Sequence, residues 1–208
     1  MKTADHVMMF KQIVRAVAMR NGIHASFLPK PLPDQAGSGL HINLSLCMDG
    51  RNLFEGDIAP DSIAGSFMAG VLAHSRELTV FTNPLPNSYQ RFGCDEAPRY
   101  VSWSRQNRSQ LVRIPQVKGN NCRMELRSPD PACNPYLAVG LVLAAGLDGI
   151  EHRMVLQPPN QQEPVRSHRG RRSWAGKTAF HAGGGRTGRA GERISAPRAA
   201  GRAFASVL

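Results

Sequence analysis

Five arginines, Arg91, Arg108, Arg113, Arg123 and Arg127, share one stretch of chain with Glu96 and Glu125, and none sits in a lysine-rich run. Guanidinium groups bind carboxylate and phosphate through fixed two-pronged forks. Their convergence would suit a substrate carrying both kinds of group; a set of surface salt bridges is the competing reading. Two alternating segments add chemistry. In His41-x-Asn43-x-Ser45 and Arg123-x-Glu125-x-Arg127, the strand period of two puts each trio on one face. One His and one Glu brought together could share Mg²⁺ or Mn²⁺ once phosphate oxygens and water complete the shell, although two donors alone make a weak site. Gly37-Ser38-Gly39 could let backbone approach a ligand, though such pairs are most often flexible turns.

These residues need elements to hold them. Residues 5–20 read as an amphipathic helix, with Val7, Phe10, Val14, Val17 and Ala18 at steps of three and four, Asp5 at the start and Asn21-Gly22 as the stop. Residues 23–28 alternate as a short strand, and Pro29-Lys30-Pro31-Leu32-Pro33 cannot continue a helix. Residues 40–46 alternate more strictly, presenting His41, Asn43 and Ser45 together. A second helix is expected over 61–78 through Ile63, Phe67, Val71, His74 and Leu78, with His74 a histidine at the core's edge rather than a ligand. Strand-like runs follow at 111–114 and 123–127. A third helix begins where Asn134 can cap it and Pro135 suits its first turn. It is apolar nearly all round to Leu147, which predicts burial.

Composition bounds the rest. The chain of 208 residues is 41% hydrophobic and 20% charged, ordinary for a soluble domain. No apolar run is long enough for a membrane helix, and no signal-peptide core follows the first residues, so a cytoplasmic protein with no membrane partner is the default expectation. Cys47, Cys94, Cys122 and Cys133 form no C-x-x-C pair and read as reduced core thiols. The net charge of +11 is unevenly spread. Residues 152–208 hold eleven Lys/Arg against Glu163 and Glu192, leaving fifteen basic and thirteen acidic side chains before them. The division expected is therefore 1–157 as a domain and 158–208 as an Arg/Gly/Ala-rich tail without a core-forming pattern.

The order Lys30-Pro31, Gly37-Ser38-Gly39-Leu40-His41, Asn83-Pro84-x-x-Asn87-Ser88-Tyr89-x-Arg91, Glu96-Ala97-Pro98, Trp103-Ser104-x-x-Asn107-Arg108-Ser109, Arg113-Ile114-Pro115, Arg123-x-Glu125-x-Arg127-x-Pro129-Asp130-Pro131-x-x-Asn134-Pro135-Tyr136 and Ala145-Gly146-Leu147-Asp148-Gly149-Ile150 resembles the catalytic domain of the glutamine synthetase family. The likeness runs over about residues 3–157. It implies an α+β fold, a curved and mostly antiparallel sheet with helices outside. It also implies ATP-dependent ligation of ammonia to glutamate through γ-glutamyl phosphate. His41 and Glu125 would hold Mg²⁺ or Mn²⁺, Arg113 and Arg123 would meet nucleotide phosphates, and Asn43 and Ser45 would line the nucleotide pocket. Arg91, Arg127 and Gly37 would bind glutamate, Arg108 would stabilise the transferring phosphoryl group, and Glu96 would help deprotonate ammonium.

The departures shape further expectations. Ala36 replaces an Asn common in the family, which keeps a ligase for polyamines or methylamine as an alternative. Residues 92–95 make the segment before Glu96 one residue shorter than the commoner pattern. The family's other metal-binding glutamates would precede Met1, so this chain by itself is not expected to be active or to form the family's homo-oligomeric rings. After Pro158-Pro159 the family pattern stops, and a frameshift near residue 160 accounts for the change of composition; sequencing the gene checks this. A non-catalytic nucleic-acid binder acting through the tail is the other alternative, disfavoured because few aromatics interleave the arginines.

Overall fold

The structure, a computed structural model, describes residues 2–95, 97–160, 165–166 and 172–173. Helix α1, Lys2–Arg20, places Asp5 in its first turn and Arg20 in its last, matching the helix dipole at both ends. It closes as a Schellman motif. Gly22 takes φ +69°, its N–H donates to the Met19 carbonyl (3.1 Å), and the Ile23 N–H donates to the Ala18 carbonyl (3.0 Å).

Residues 23–28 form no strand and belong to no ladder, contrary to expectation. Alternation alone does not make a strand, because the main chain needs a neighbour to bond. The expected strand over 40–46 shortens to β1, Ile42–Leu44. A hairpin follows, β2 (Cys47–Met48) and β3 (Arg51–Asn52), turned by Asp49 and Gly50, both at positive φ. This is the two-residue turn that matches strand twist.

The helix expected over 61–78 is two helices. α2, Ile63–Ala73, is capped by the Ser62 hydroxyl accepting from the Gly65 N–H (3.1 Å), and α3, Ser75–Thr82, follows at once. The break falls on His74 (φ −89°, ψ 9°), whose Nε2 lies 2.8 Å from Asp148 Oδ2. No Pro or Gly marks the spot, so the sequence reads straight through it. Helix α4, Pro86–Arg91, then starts with Pro at its first position.

Strands β4 (Tyr100–Ser104), β5 (Gln110–Arg113) and β6 (Met124–Leu126) join β1 in a four-stranded sheet ordered β1-β6-β5-β4. The β1–β6 and β6–β5 pairs are antiparallel, while β5–β4 is parallel, so the sheet is mixed, with two of its three pairings antiparallel. Helix α5, Pro135–Glu151, is capped by Asn134 Oδ1 accepting from the Tyr136 N–H (3.0 Å).

The core lies between sheet and helices. Phe67, Met68 and Val71 of α2 meet Ala138, Val142 and Ala145 of α5, with Leu111, Val112, Met124 and Leu126 from the sheet. α2 and α5 touch at backbone distance, since a Cβ on Gly149 would stand 2.7 Å from the Gly70 Cα. α5 is not buried all round. Leu137 and Leu147 are more than half exposed, because a helix on the outside of a sheet has only one layer to pack against. Most of the expected tail lies outside the described residues; within it, β7 (Val165–Arg166) and β8 (Arg172–Ser173) pair antiparallel. Among the described residues no helix is long and apolar enough to cross a membrane.

Candidate active site

Glu125 is the hub. It is the middle residue of β6, 6% exposed, and the sheet register gives it Asn43 on one side and Arg113 on the other. Its Oε1 accepts from Arg127 Nη1 and lies 3.0 Å from His41 Nδ1, while Oε2 is 3.2 Å from Arg113 Nη1. A buried carboxylate is strongly destabilising unless paired. Two guanidiniums balance it and an imidazole nitrogen stands beside it, so Arg113 and Arg127 are not scattered surface salt bridges.

The flanking residues tie this cluster to its loops. Arg123 Nε donates to Asn43 Oδ1 (3.0 Å), joining the residue before β6 to β1. The Ser45 hydroxyl donates to the Cys122 carbonyl (2.8 Å), so it anchors the chain entering β6. Arg127, 3% exposed, sends Nε to the main-chain carbonyl of Arg108 (2.7 Å). That fixes the turn carrying Arg108, whose own side chain is exposed. The turn is built by short polar groups. Ser104 Oγ accepts from the Asn107 N–H (2.9 Å), and Asn107 Oδ1 accepts from the Ser109 N–H and hydroxyl (3.0 and 2.7 Å).

Arg91 sits beneath the cluster, 4% exposed, donating through Nη1 to the Ser128 carbonyl (2.8 Å) and through Nη2 to the Arg127 carbonyl (3.2 Å). Burial pulls its pKa down to about 10, with Asp130 opposing that shift and Arg127 adding to it. Gly37 and Gly39 lie directly over this side chain. A Cβ at Gly37 would come within 3.1 Å of Arg91 Cγ, and one at Gly39 would run into Nη2, so both glycines serve close approach. Glu96 lies outside the described residues.

Several supporting residues carry no role in the sequence reading although they stand inside its motifs. Asn87 and Lys30 exchange two bonds, Lys30 N–H to Asn87 Oδ1 (2.7 Å) and Asn87 Nδ2 to the Lys30 carbonyl (2.8 Å), which pins the glycine loop to α4. Asn83, fully buried, donates to Asp130 Oδ2 (2.9 Å) and to the Ser128 carbonyl (2.8 Å), bracing the segment that Arg91 also grips. Asn and Asp deep in a Pro-rich loop are the only sequence signal for this brace.

The two residues expected to hold a metal, His41 and Glu125, stand beside one another. An imidazole nitrogen and a carboxylate oxygen stand together, a donor pair acceptable to Mg²⁺ or Mn²⁺ with oxygen ligands completing the shell. Among the described residues no group of three or more His, Cys, Asp or Glu has metal-binding spacing. The site fits the ion with two donors only.

Comparison with known proteins decides the family. Residues 1–177 match the family profile described as glutamine synthetase, catalytic domain. The chain belongs to the glutamine synthetase family. It is 51% identical over 156 residues to a glutamine synthetase of Methanosarcina mazei, covering 73% of this chain and 35% of that one. Against a glutamine synthetase of Thermus thermophilus identity is 46% over 164 residues, covering 77% and 37%. The chain therefore spans little more than a third of the length of these relatives. Among solved structures, Plasmodium falciparum glutamine synthetase superposes with a TM-score of 0.72 at 29% identity, over 79% of this chain and 33% of that one. A GmaS/ADP complex superposes at 0.68 and 40% identity, over 77% and 39%.

Proposed function

We propose that this chain carries part of the active site of an ATP-dependent ligase that joins ammonia to glutamate through γ-glutamyl phosphate. The observation that carries the reading is the Glu125 hub, with His41, Arg113 and Arg127 around one buried carboxylate inside the family-matched span. Phosphoryl transfer needs positioning and neutralisation of charge rather than covalent help from the protein, and a ring of fixed cations meets that need.

His41 and Glu125 would hold Mg²⁺ or Mn²⁺, which when bound neutralises phosphate oxygens. Arg113 and Arg123 face nucleotide phosphates in this reading, and Asn43 and Ser45 border the nucleotide. An ADP complex among the similar structures supports a nucleotide site. Arg127 and Arg91 orient glutamate; Arg91 does so with the donors left over from its two carbonyl bonds, beneath the loop of Gly37. Arg108 neutralises the group in transfer, and Glu96 takes the proton from ammonium so that a lone pair is free to attack.

A chimera tests this. Residues 3–157 replace the matched span of the Methanosarcina mazei enzyme, and ATP- and glutamate-dependent phosphate release is measured with ammonium. Release dependent on ammonium is the expected result. A folded chimera that releases no phosphate would overturn the proposal. Release only with methylamine or a polyamine would select the alternative amine ligase.

A further inference from the structure

The turn that leads into β6 is held by a side chain from another element. Asn52 of β3 is 8% exposed, and its Nδ2 donates to the Cys122 carbonyl (2.7 Å), seventy positions along the chain, and at longer range to the Gly119 carbonyl (3.4 Å). Its Oδ1 accepts from the Phe54 N–H (3.0 Å). Both ends of the amide are committed, and its orientation is fixed, because a reversed amide would set oxygen against carbonyl and NH₂ against N–H. Phe54, 2% exposed in the core, anchors the near end of this tie.

Glu55 supplies a second tie. Its Oε1 accepts from the Gly119 N–H (3.0 Å), at the start of the single 3₁₀ turn Gly119–Asn121. Arg123 bonds back to the same turn, through Nη1 to the Asn121 carbonyl (3.0 Å). The Cys122 carbonyl takes two donors, Asn52 Nδ2 and the Ser45 hydroxyl, and Cys122 is 3% exposed. A carbonyl buried there and robbed of a donor has little water to turn to. Arg123 follows Cys122 directly and Glu125 stands two positions further on, so the atom that Asn52 holds sets where both side chains start.

We propose that Asn52, assisted by Glu55, is a positioning residue for the nucleotide side of the site. It touches no substrate; it acts by holding the Gly119–Cys122 turn so that Arg123 and Glu125 keep their places. This role rests on the reading of Arg123 as a phosphate contact and Glu125 as a metal ligand. Arg91 and the glycine loop are pinned separately, by the Ser128 carbonyl and by the Lys30–Asn87 pair, so a loosened turn weakens ATP binding before glutamate binding.

Hydrogen exchange of the 208-residue chain tests the tie without turnover. Asn52→Asp keeps the acceptor for Phe54 and removes the donor to Cys122; peptides over residues 119–123 should exchange about tenfold faster than in the parent, while those over α5 keep their rate. Kinetics of the chimera test the role. KM for ATP should rise about tenfold in Asn52→Asp, with KM for glutamate within about twofold of the parent. Glu55→Ala, at an exposed side chain, should move both readouts the same way by about threefold. A merely structural loss would lower the active fraction and kcat and leave both KM values in place. Should Asn52→Asp fail to fold, Glu55→Ala carries both measurements. Unchanged exchange over residues 119–123, an equal rise of both KM values, or a fall of kcat alone would each overturn the role of Asn52 while the ligase reading stands. A parent chimera without turnover would overturn the ligase reading and this role with it, so the two failures are told apart.

Discussion

Arg108 and Glu125 illustrate two ways a charge can be placed. Glu125 is held from three sides in the interior, while Arg108 projects from a turn whose backbone Arg127 fixes. In the chimera, Arg108→Ala should lower phosphate release by about 10²-fold or more, because it removes a preorganised cation from the transferring group. Expression and folding should stay near wild type, since that side chain is exposed. Activity within threefold of the parent would refute its role. A second residue-scale prediction concerns Asp148, whose carboxyl is held below the usual range first by the hydrogen bond from His74 and then by the charge and hydrogen bond of His152. A lowered carboxylate contributes stability that is present above its unfolded pKa and lost as pH falls through the folded value. Urea midpoints of wild type and Asp148→Asn should therefore differ at about pH 6 and converge towards about pH 3. A gap that stays constant over that window would show that the His74–Asp148 pair contributes nothing through charge.

At the scale of elements, the contact of α2 with α5 sets the depth of the core under the sheet. Gly149→Ala should destabilise the chain by about 1–3 kcal/mol in urea unfolding, because its new Cβ meets Gly70 backbone and the Ser66 carbonyl rather than a movable side chain. Loss of less than about 0.5 kcal/mol would mean that the two helices slide apart freely. The Gly-Leu-Asp-Gly stretch was legible as a motif, and its packing purpose was not, because periodicity says which face is apolar but not how near the opposing backbone comes. Caps and strands with local signals were readable: Asn134 and Pro135 at α5, Asn21-Gly22 after α1, and the alternation at β1 and β6. The break at His74 was hidden, since no Pro or Gly marks it and the side-chain partner of His74, Asp148, lies far along the chain. The Asp49-Gly50 pair carries a local turn signal for the β2–β3 hairpin. Of the site, the His41, Arg113, Glu125 and Arg127 group was legible because strand alternation and motif order agreed. The Asn83–Asp130 brace was not, because its logic is entirely long-range.

For the whole molecule, the exposed apolar surface and the incomplete donor set point the same way. On α1, Phe10, Ile13 and Val17 are each more than half exposed at helical spacing, so a contiguous apolar stripe faces outward. The chain should self-associate with rising concentration, and Ile13→Ser with Val17→Ser should shift its sedimentation towards the monomer. No change of sedimentation between the two would show that the stripe is not the sticky surface. Catalysis should fail for a separate reason. Transfer between two anionic substrates depends on metal neutralisation of the phosphates, and the described chain supplies His41 and Glu125 as a single pair of donors. Its arginines remain able to hold anions, so nucleotide binding can persist where turnover does not. With saturating Mg²⁺ or Mn²⁺, ATP, glutamate and ammonium, the purified 208-residue chain should release no phosphate above background, in the soluble double variant as well as in the parent. Testing the double variant removes aggregation as an explanation. A rate near that of the complete Methanosarcina mazei enzyme would show that two donors suffice, and that the role assigned to the rest of the polypeptide is wrong.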